Sequence, residues 1–417
     1  MTQATGATRA PDVPAEVVER IPPIVDLDAH VVEPADLWTS RLPARYRDIG
    51  PHIVLAPAPD SIELDGALYK EAPGSPGSGP DVAWWFYEDH RYSIKRPIAS
   101  AGYPPEEVTM RGVTYDEMRP GCYRVPDRLT DMDLNGVEAQ LCYPNYPRFA
   151  GQIFAWGKDK ELARLCVEAY NDWQVEEWGG ESGGRLIPLC LVPLWDVELA
   201  AAEVRRNAAR GVRAVAFSEI PAYLGYPSLH SGYWDPFFRA CDETGTVVCM
   251  HIGSGTKTPQ SSPDAPELVS SVVIFGNSAV SLTDFLFSGV LARFPNLKLM
   301  YAECQIGWIP YVIERCDDAW QTHLWARKEA VLDELPSFYY RRQVFSCFFK
   351  DPVGVALIDL VGVDNVTFET DYPHQDSTWP YSREAAASQF GHLDQPIIDK
   401  IARNNGIELL GLDLPLA

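Results

Sequence analysis

Eight short apolar runs alternate with longer amphipathic stretches along most of the chain. The runs are rich in β-branched and other apolar residues and do not alternate regularly with polar ones. This is typical of strands buried on both faces of a parallel sheet. The runs cover residues 24–28, 137–143, 186–192, 212–217, 246–251, 297–302, 343–347 and 365–370.

The stretches between the runs carry apolar residues at three- and four-residue spacing, as amphipathic helices do. Helices are predicted at 159–178, 197–209, 235–243, 281–294, 310–328, 351–360 and 395–403. Alternating strands and helices predict an α/β fold, and eight strands are the number that closes a (β/α)8 barrel. The alternative is an open doubly wound sheet, but no strand is followed by the G-x-G-x-x-G phosphate fingerprint of that class.

One segment, from about 34 to 128, interrupts the alternation. It is dense in Pro and Gly, yet it contains Trp84, Trp85, Phe86 and Tyr87, which is too aromatic for a disordered segment. We predict an insertion after strand one that forms a lid over the mouth of the barrel or packs between subunits. We predict that residues 1–20 form a flexible N-terminal tail. Residues 21–417 are then expected to form a single barrel domain.

Composition narrows the possible partners and the compartment. With 35 basic and 58 acidic residues the formal charge is −23, which repels the phosphates of nucleic acids. The sequence lacks an apolar stretch of ~18 residues free of polar breaks, and no secretory signal begins the chain, so we expect no membrane span. Nine cysteines without a C-x-x-C pair argue against a disulfide framework. We therefore expect the protein to be cytoplasmic and to act on a small molecule.

Potential metal ligands stand at the ends of three predicted strands. Asp28 and His30 end the first strand two residues apart, so they share a face. His251 ends the fifth strand, and Asp371 follows the eighth. Taken alone, His251 could be a core imidazole and Asp371 a helix cap. Because barrel enzymes hold their sites at the carboxyl ends of the strands, the four together predict one metal site. Carboxylate and imidazole ligands suit Zn, Mn or Fe.

These residues and the stretches around them resemble the amidohydrolase superfamily, in its amidohydrolase-2 branch. That branch includes aminocarboxymuconate-semialdehyde decarboxylase and related decarboxylases and hydratases. The resemblance covers roughly residues 24–33 and 128–413. Its stretches include DLDAHVVEPADLW, LTDMDLNGVEAQLCYP, AECQIGWIPYVIERCDDAW and FETDYPHQDSTWP.

The resemblance implies a distorted (β/α)8 TIM barrel with one divalent metal, zinc first and manganese or iron as alternatives. It assigns the ligands to Asp28, His30, His251 and Asp371, with Asp371 also the proton acceptor. Binuclear members of the superfamily need a carboxylated lysine at the end of strand four. Here that strand ends RAVAFSEI without a lysine, which favours a single metal.

The chain departs from the family pattern after strand six. The decarboxylases of the branch usually carry a catalytic histidine there, where this chain has Glu303. A carboxylate can act as a general base toward water or as a further ligand, but it repels a substrate carboxylate. His374, three residues past Asp371, could be a general acid or base. The expected catalytic residues are Asp371, Glu303 and His374.

Three functions remain open at this point. The first is a metal-dependent hydrolase, or a hydratase, acting on a small organic or aromatic acid derivative. The second is a non-oxidative decarboxylase of a hydroxylated aromatic or semialdehyde acid, with Arg148 near strand two as a candidate clamp for the substrate carboxylate. The third is a barrel that binds without catalysis. A homodimer is expected, because barrels of this kind often dimerise.

Overall fold

Fourteen strands are found in the computed structural model, which describes residues 10–65, 68–262, 264–327 and 332–417. They are β1 (Ile24–Val31), β2 (His52–Pro57), β3 (Glu63–Asp65), β4 (Leu68–Lys70), β5 (Asp81–Tyr87), β6 (His90–Ser93), β7 (Val137–Pro144), β8 (Leu186–Ile187), β9 (Leu189–Cys190), β10 (Ala214–Ala216), β11 (Val247–His251), β12 (Leu299–Ala302), β13 (Val344–Phe348) and β14 (Val366–Phe368). Each of the eight predicted runs overlaps at least one of them.

Parallel pairing joins β1, β7 and β8 in one sheet and β9 through β14 in another, in chain order. The third predicted strand is divided into β8 and β9 by Pro188, which has no backbone N–H to donate to a neighbour. The last strand returns to the first, since Asp371 N donates to Asp28 O at 2.9 Å and His30 N donates to Tyr372 O at 2.6 Å. The fold is the predicted distorted (β/α)8 barrel.

Eighteen α-helices accompany these strands within the same described ranges. They are α1 (Ala15–Val18), α2 (Leu37–Arg41), α3 (Val125–Asn135), α4 (Gln152–Trp156), α5 (Lys160–Trp173), α6 (Val197–Ala208), α7 (Asp235–Thr244), α8 (Glu267–Val273), α9 (Phe275–Phe287), α10 (Val290–Arg293), α11 (Ile309–Thr322), α12 (Leu324–Arg327), α13 (Pro336–Gln343), α14 (Pro352–Ala356), α15 (Ile358–Val361), α16 (Ser382–Phe390), α17 (Gln395–Asp399) and α18 (Asn405–Leu410). Asp159 and Asp196 cap α5 and α6, each accepting two backbone N–H bonds.

Three predicted helices differ from the observed ones. The helix expected at 281–294 begins earlier, as α9, and is broken before α10 at Gly289, whose φ of 73° ends the helical geometry. The helix expected at 310–328 is split at His323 into α11 and α12, and residue 328 lies outside the described ranges. The helix expected at 351–360 is split at Leu357, whose φ of −106° and ψ of 18° are not helical.

The insertion has more regular structure than the sequence pattern indicated. Within 34–128, β2, β5 and β6 form an antiparallel sheet and β3 pairs with β4. Trp85 on β5 is buried and stacks on Tyr146, in the loop after β7, with ring centroids 4.7 Å apart. The insertion therefore packs on the loop at the carboxyl end of barrel strand β7.

The chain start is more ordered than predicted from Ala15 onward. Residues 1–9 lie outside the described ranges, but Ala15–Val18 form α1. The Arg20 guanidinium donates to Gly391 O at 2.6 Å and to Leu393 O at 2.7 Å. The predicted flexible tail therefore does not extend to Arg20.

One helical stretch is apolar on average over more than 18 residues. Glu267–Phe287, which spans α8 and α9, is long and apolar enough to cross a membrane by length and composition alone. Only 28% of its most apolar window is buried inside the molecule. Leu268 and Val272 are 76% and 70% exposed. The stretch contains Ser270, Asn277 and Asp284, so it is not the unbroken apolar run that the sequence analysis excluded.

Candidate metal centre and active site

Three of the predicted metal ligands meet at the end of the barrel where β1 and β11 terminate. His30 Nε2 and His251 Nε2 lie 3.3 Å apart. The Asp28 carboxylate reaches both rings, at 3.6 Å from each Nε2. The pairing of β1 with β7 shifts register between Asp26 and Ala29, and this irregularity includes Asp28. Such bulges recur beside active sites because they re-aim a side chain.

Asp371 joins this group from the turn after β14. Its Oδ1 lies 3.2 Å from His30 Nε2. Its φ of 50° is in the left-handed region, which a non-glycine residue adopts at a cost of about 1–3 kcal/mol and which clusters at functional sites. The turn is anchored to β1, because Thr370 N donates to Asp26 Oδ1 at 3.0 Å.

Glu303 enters the site from the turn after β12. Its Oε2 lies 3.2 Å from His251 Nε2, and its side chain is 17% exposed. Its φ is 56°, so this turn too has left-handed backbone. The Glu303 N–H donates to Glu369 Oε2 at 3.0 Å. The carboxylate that stands where the family's decarboxylases carry histidine therefore borders the candidate metal site.

His374 lies on the other side of Asp371. Its Nδ1 is 3.0 Å from Asp371 Oδ1, and its side chain is 12% exposed. Its ring stacks on His30, with centroids 3.6 Å apart and planes 21° from parallel. The four predicted ligands and the three predicted catalytic residues thus form one cluster, with Glu303 and His374 on its open side.

Burial sets the charge state of the two ligand imidazoles. It lowers the pKa of His251 to about 3, despite the nearby Asp371 carboxylate. Burial, together with the neighbouring His374, also lowers the pKa of His30 well below its ordinary value. Both rings are therefore neutral at pH 7, and a neutral imidazole nitrogen is the form that binds a metal.

Burial raises the pKa of each carboxylate in the cluster, but the net shifts differ in direction. Burial and the charges of Glu369 and Asp371 raise the pKa of Asp28. Burial likewise raises the pKa of Glu303, and Asp371 adds to it. For Asp371 burial acts in the same direction, but contacts with His374 and His30 outweigh it and lower its pKa. Without a cation, these carboxylates are not all stable as anions so close together.

The donor set fits a divalent metal ion. Both Asp28 oxygens are buried and have no hydrogen-bond partner among the described residues. An unsatisfied buried carboxylate is costly, and a coordinated cation removes that cost. Asp28, His30 and His251 each offer an atom within 4.8 Å of the others, and so do His30, Asp371 and His374. Carboxylate oxygens with imidazole nitrogens suit Zn, Mn or Fe.

Sequence reasoning missed two residues of this cluster. Glu369 is fully buried and accepts from Cys347 Sγ as well as from the Glu303 N–H. It stands two residues before Asp371, and this period-two spacing is the signal that could have revealed it. Asn145 follows β7, and its Oδ1 lies 3.0 Å from His374 Nε2. Its position just past a strand end was the available signal.

Arg148, the candidate carboxylate clamp, lies in the loop after β7 with φ 63°. Its guanidinium carbon is 5.6 Å from the centroid of the Phe149 ring, and that ring lies 3.9 Å from the His251 ring. Its positive charge is one of the smaller contributions that lower the pKa of His251, after burial. Arg148 therefore lies near the candidate metal site, beside a ring that packs against the His251 imidazole.

The chain resembles known proteins in sequence. The sequence model of the amidohydrolase-2 family, described as Amidohydrolase, matches residues 25–412. The chain belongs to this family. A 2-amino-3-carboxymuconate-6-semialdehyde decarboxylase of Dictyostelium discoideum is 23% identical over 339 residues, which are 79% of this chain and 85% of that protein.

Solved structures share the fold. An amidohydrolase from Mycobacterium avium subsp. paratuberculosis K-10 matches with a TM-score of 0.68 and 21% identity, over 94% of this chain and 99% of that one. A 5-carboxyvanillate decarboxylase from Novosphingobium aromaticivorans DSM 12444, with bound manganese, matches with a TM-score of 0.57 and 19% identity, over 68% and 80% of the two chains. At these identities the likeness concerns the fold alone. The chain is an amidohydrolase-family barrel enzyme.

Proposed function

We propose that the protein is a metal-dependent hydrolase, or a hydratase, of a small organic or aromatic acid derivative. One divalent ion is held by Asp28, His30, His251 and Asp371. The observation that carries the proposal is the meeting of two neutral imidazoles with the unpaired Asp28 carboxylate at the barrel's carboxyl end. Zinc is the proposed metal. Manganese is the alternative that the metal bound in related decarboxylases supports.

The chain supplies the groups that move protons. A bound divalent ion lowers the pKa of a water molecule and polarises a substrate carbonyl group. Asp371 Oδ1 takes a proton from the attacking water. His374 Nδ1, 3.0 Å from that oxygen, receives this proton and passes it to the leaving group, so the water is divided between the two products. In hydration, the same proton goes to the substrate carbon or oxygen opposite the added hydroxyl.

Glu303 is the second proton acceptor in this proposal. It borders the open side of the site beside His251, where an entering substrate and its water would lie. A carboxylate there orients water through its lone pairs, whereas it repels the carboxylate that a decarboxylase must bind. Glu303 is therefore the residue that favours addition of water over loss of CO2.

A non-oxidative decarboxylase is the second candidate. It is supported by the names of similar proteins, which act on aminocarboxymuconate semialdehyde and on carboxyvanillate. In that function Arg148 would hold the substrate carboxylate, and His374 would protonate the carbon that loses CO2. A barrel that binds without catalysis is the least supported reading, because every predicted ligand is present in the cluster.

Two measurements test the proposal together. The first is metal analysis of wild type and of Asp28→Ala/His30→Ala, purified without chelators, with Leu134→Ala on the exposed face of α3 as a matched control. We expect one equivalent of zinc or manganese, lost only in the double variant. The second is a substrate panel of esters, amides, lactones and hydroxybenzoates assayed for acid release and, in sealed vessels, for CO2. Turnover confined to CO2 release would replace hydrolysis with decarboxylation.

We also propose that two copies of the chain form a dimer. The proposal is supported by exposed apolar side chains on α8, α9 and α12, namely Leu268, Val272, Val280 and Trp325. Leu268 and Val272 are one helical turn apart on α8, and exposed apolar side chains that lie together mark interaction surfaces. Light scattering of purified protein is expected to give twice the chain mass of 46.5 kDa, and Val272→Glu is expected to halve that value. A monomeric wild type would contradict the proposal.

The insertion is proposed to act as a lid. Its support is the stacking of Trp85 on Tyr146 and the hydrogen bond from the Tyr115 hydroxyl to Glu33 O at 2.6 Å, both beside the site. Trp85→Ala is expected to raise KM and to leave the metal content unchanged.

The cytoplasm is the proposed compartment, because all nine cysteines are free and buried. Cell fractionation tests that assignment.

A further inference from the structure

A second group of potential metal ligands lies inside the barrel beside the first. Asp28, Cys347 and Glu369 are fully buried, and each offers an atom within 4.8 Å of the others. Parallel pairing of β13 with β14 sets Cys347 opposite Thr367, and Glu369 lies two residues further along on the same face. The bond from Asp371 N to Asp28 O brings β1 to the end of β14. The second group therefore shares Asp28 with the first.

Two carboxylates of this group have buried oxygens without hydrogen-bond partners. These oxygens are both those of Asp28 and Glu369 Oε1, among the residues that the structure describes. Glu369 Oε2 accepts from the Glu303 N–H at 3.0 Å and from Cys347 Sγ. An unpartnered buried carboxylate oxygen is costly. The first proposed ion is bound by Asp28 but not by Glu369, so Glu369 Oε1 requires a different partner.

The negative charge of the cluster exceeds what one divalent ion balances. Four carboxylates lie together, and three of them act electrostatically on Asp28. They are Asp28, Glu303, Glu369 and Asp371. Within the described ranges their ion pairs are with histidine, and no lysine or arginine pairs with them. Buried charges are paired or coordinate metals. One divalent ion balances two of these four charges, and a second ion would balance the others.

The spacing and the sulfur atom favour zinc for this second group. Zinc binds cysteine sulfur at about 2.3 Å and carboxylate oxygen at about 2.0–2.2 Å. Two atoms bound to one zinc ion are therefore at most about 4.6 Å apart, which is close to the spacing of these three side chains. Magnesium, calcium and manganese prefer oxygen ligands, whereas thiolate suits zinc. Binding breaks the S–H bond of Cys347, and the proton leaves to solvent.

We propose that Asp28, Cys347 and Glu369 form a second zinc site, with Asp28 bridging to the first ion. Asp28 can serve both ions because a carboxylate offers two oxygens with about four lone-pair sites. This site has three protein ligands where the first has four, and its sulfur must lose a proton. It is therefore the weaker site and fills only from added metal. It uses no lysine, unlike the binuclear members of the superfamily, and it does not depend on which reaction the enzyme catalyses.

The test is equilibrium dialysis of the full-length, zinc-loaded protein against cobalt(II), followed by metal analysis and absorption spectroscopy. Cobalt(II) substitutes for zinc, and a bond between cobalt and a thiolate gives an intense charge-transfer band in the near ultraviolet. We expect two metal ions per chain together with this band. One ion per chain without the band would overturn the proposal. A proton shared between Asp28 and Glu369 would then account for the bare oxygens.

Two substitutions test the ligands one at a time. Cys347→Ser is expected to lose both the band and the second ion, and Cys347→Ala replaces it if the serine variant does not fold. Glu369→Gln is expected to weaken cobalt binding at this site at least about 10-fold. Cys190→Ser is the matched control, because Cys190 is a buried cysteine on β9 outside the cluster, and it should keep the band. A band that survives loss of the Cys347 sulfur would refute the assignment.

His251→Ala separates this site from the first one. His251 belongs only to the first set of ligands, so the cobalt-treated variant is expected to hold one ion per chain and to keep the thiolate band. Loss of the band in His251→Ala would show that both sets hold a single ion, and would overturn the second site. A wild type that shows the band but turns over no substrate of the panel would contradict the proposed function and leave the second site standing.

Discussion

Replacement of Asp26 tests the hydrogen bonds that join the first barrel strand to the turn after the last one. We call this junction the seam. Asp26 is fully buried on β1, and its carboxylate accepts four hydrogen bonds. Oδ1 accepts from Asp28 N at 3.1 Å and from Thr370 N at 3.0 Å. Oδ2 accepts from Thr370 Oγ1 at 2.5 Å and from Gln140 Nε2 at 2.9 Å. One side chain thus joins the first, second and last barrel strands beneath Asp28 and Asp371.

The number of donors left without a partner gives the expected magnitude. Asp26→Ala strands four buried donors, and at about 1 kcal/mol each the protein should lose about 4 kcal/mol of unfolding free energy. Asp26→Asn keeps the two bonds to Oδ1 but places an amide donor against the Gln140 donor, so the loss should be about 2 kcal/mol. Metal affinity should fall about 10–100-fold in Asp26→Ala, because two proposed ligands lose their support.

The assay is urea unfolding of the metal-free protein at pH 8, followed by metal titration. Burial raises the pKa of Asp26 to about 7, so the carboxylate is mostly ionised at this pH. Asp133→Ala is the control, since its side chain is 67% exposed and its ion pair with Arg185 should contribute less than about 1 kcal/mol. If Asp26→Ala costs no more than this control, the account of the seam is wrong.

Three further predictions concern single residues. His251→Ala should lose the metal and all turnover, measured by elemental analysis and the substrate panel; retention of both would rule out His251 as a ligand. Glu303→Gln should lower hydrolysis about 10²–10⁴-fold with the metal retained, and metal loss instead would make Glu303 a ligand. Burial raises the pKa of Glu219 to about 8 from an ordinary 4.5. Its stabilising contribution is therefore full below pH 4.5 and lost as the pH rises through 8. Wild type should lose stability relative to Glu219→Gln over that range in urea unfolding, and a constant difference would contradict the shift.

The sequence predicted which polar residues lie together better than it predicted the bounds of the helices and strands around them. Asp28, His30, His251 and Asp371 were found because strand ends of a parallel barrel meet at one edge, so strand positions alone place them together. Glu369 was missed although it shares the strand end of Asp371, because it was taken as part of the apolar run.

Long-range contacts and single-residue breaks account for the remaining differences. The Asn145 contact with His374 joins loops 229 residues apart, and no local pattern indicates such a pair. The interruption at Gly289 depends on one residue within an otherwise apolar helical pattern. The insertion's strands were missed because pairing of β2 with β5 depends on tertiary contacts more than on local preference.

The residues at the seam are far apart in sequence, which determines when during synthesis the proposed ligand set becomes complete. Two proposed ligands lie on the first barrel strand and one just past the last, and Asp26 meets Thr370 across 344 residues. A nascent chain holds Asp28 and His30 long before Asp371 leaves the ribosome, so the proposed ligand set is complete only after the last barrel strand has been synthesised. Contacts of such sequence separation form slowly. A metal ion bound by ligands on the first strand and just past the last strand would stabilise the newly closed barrel. It would slow detachment of the last strand.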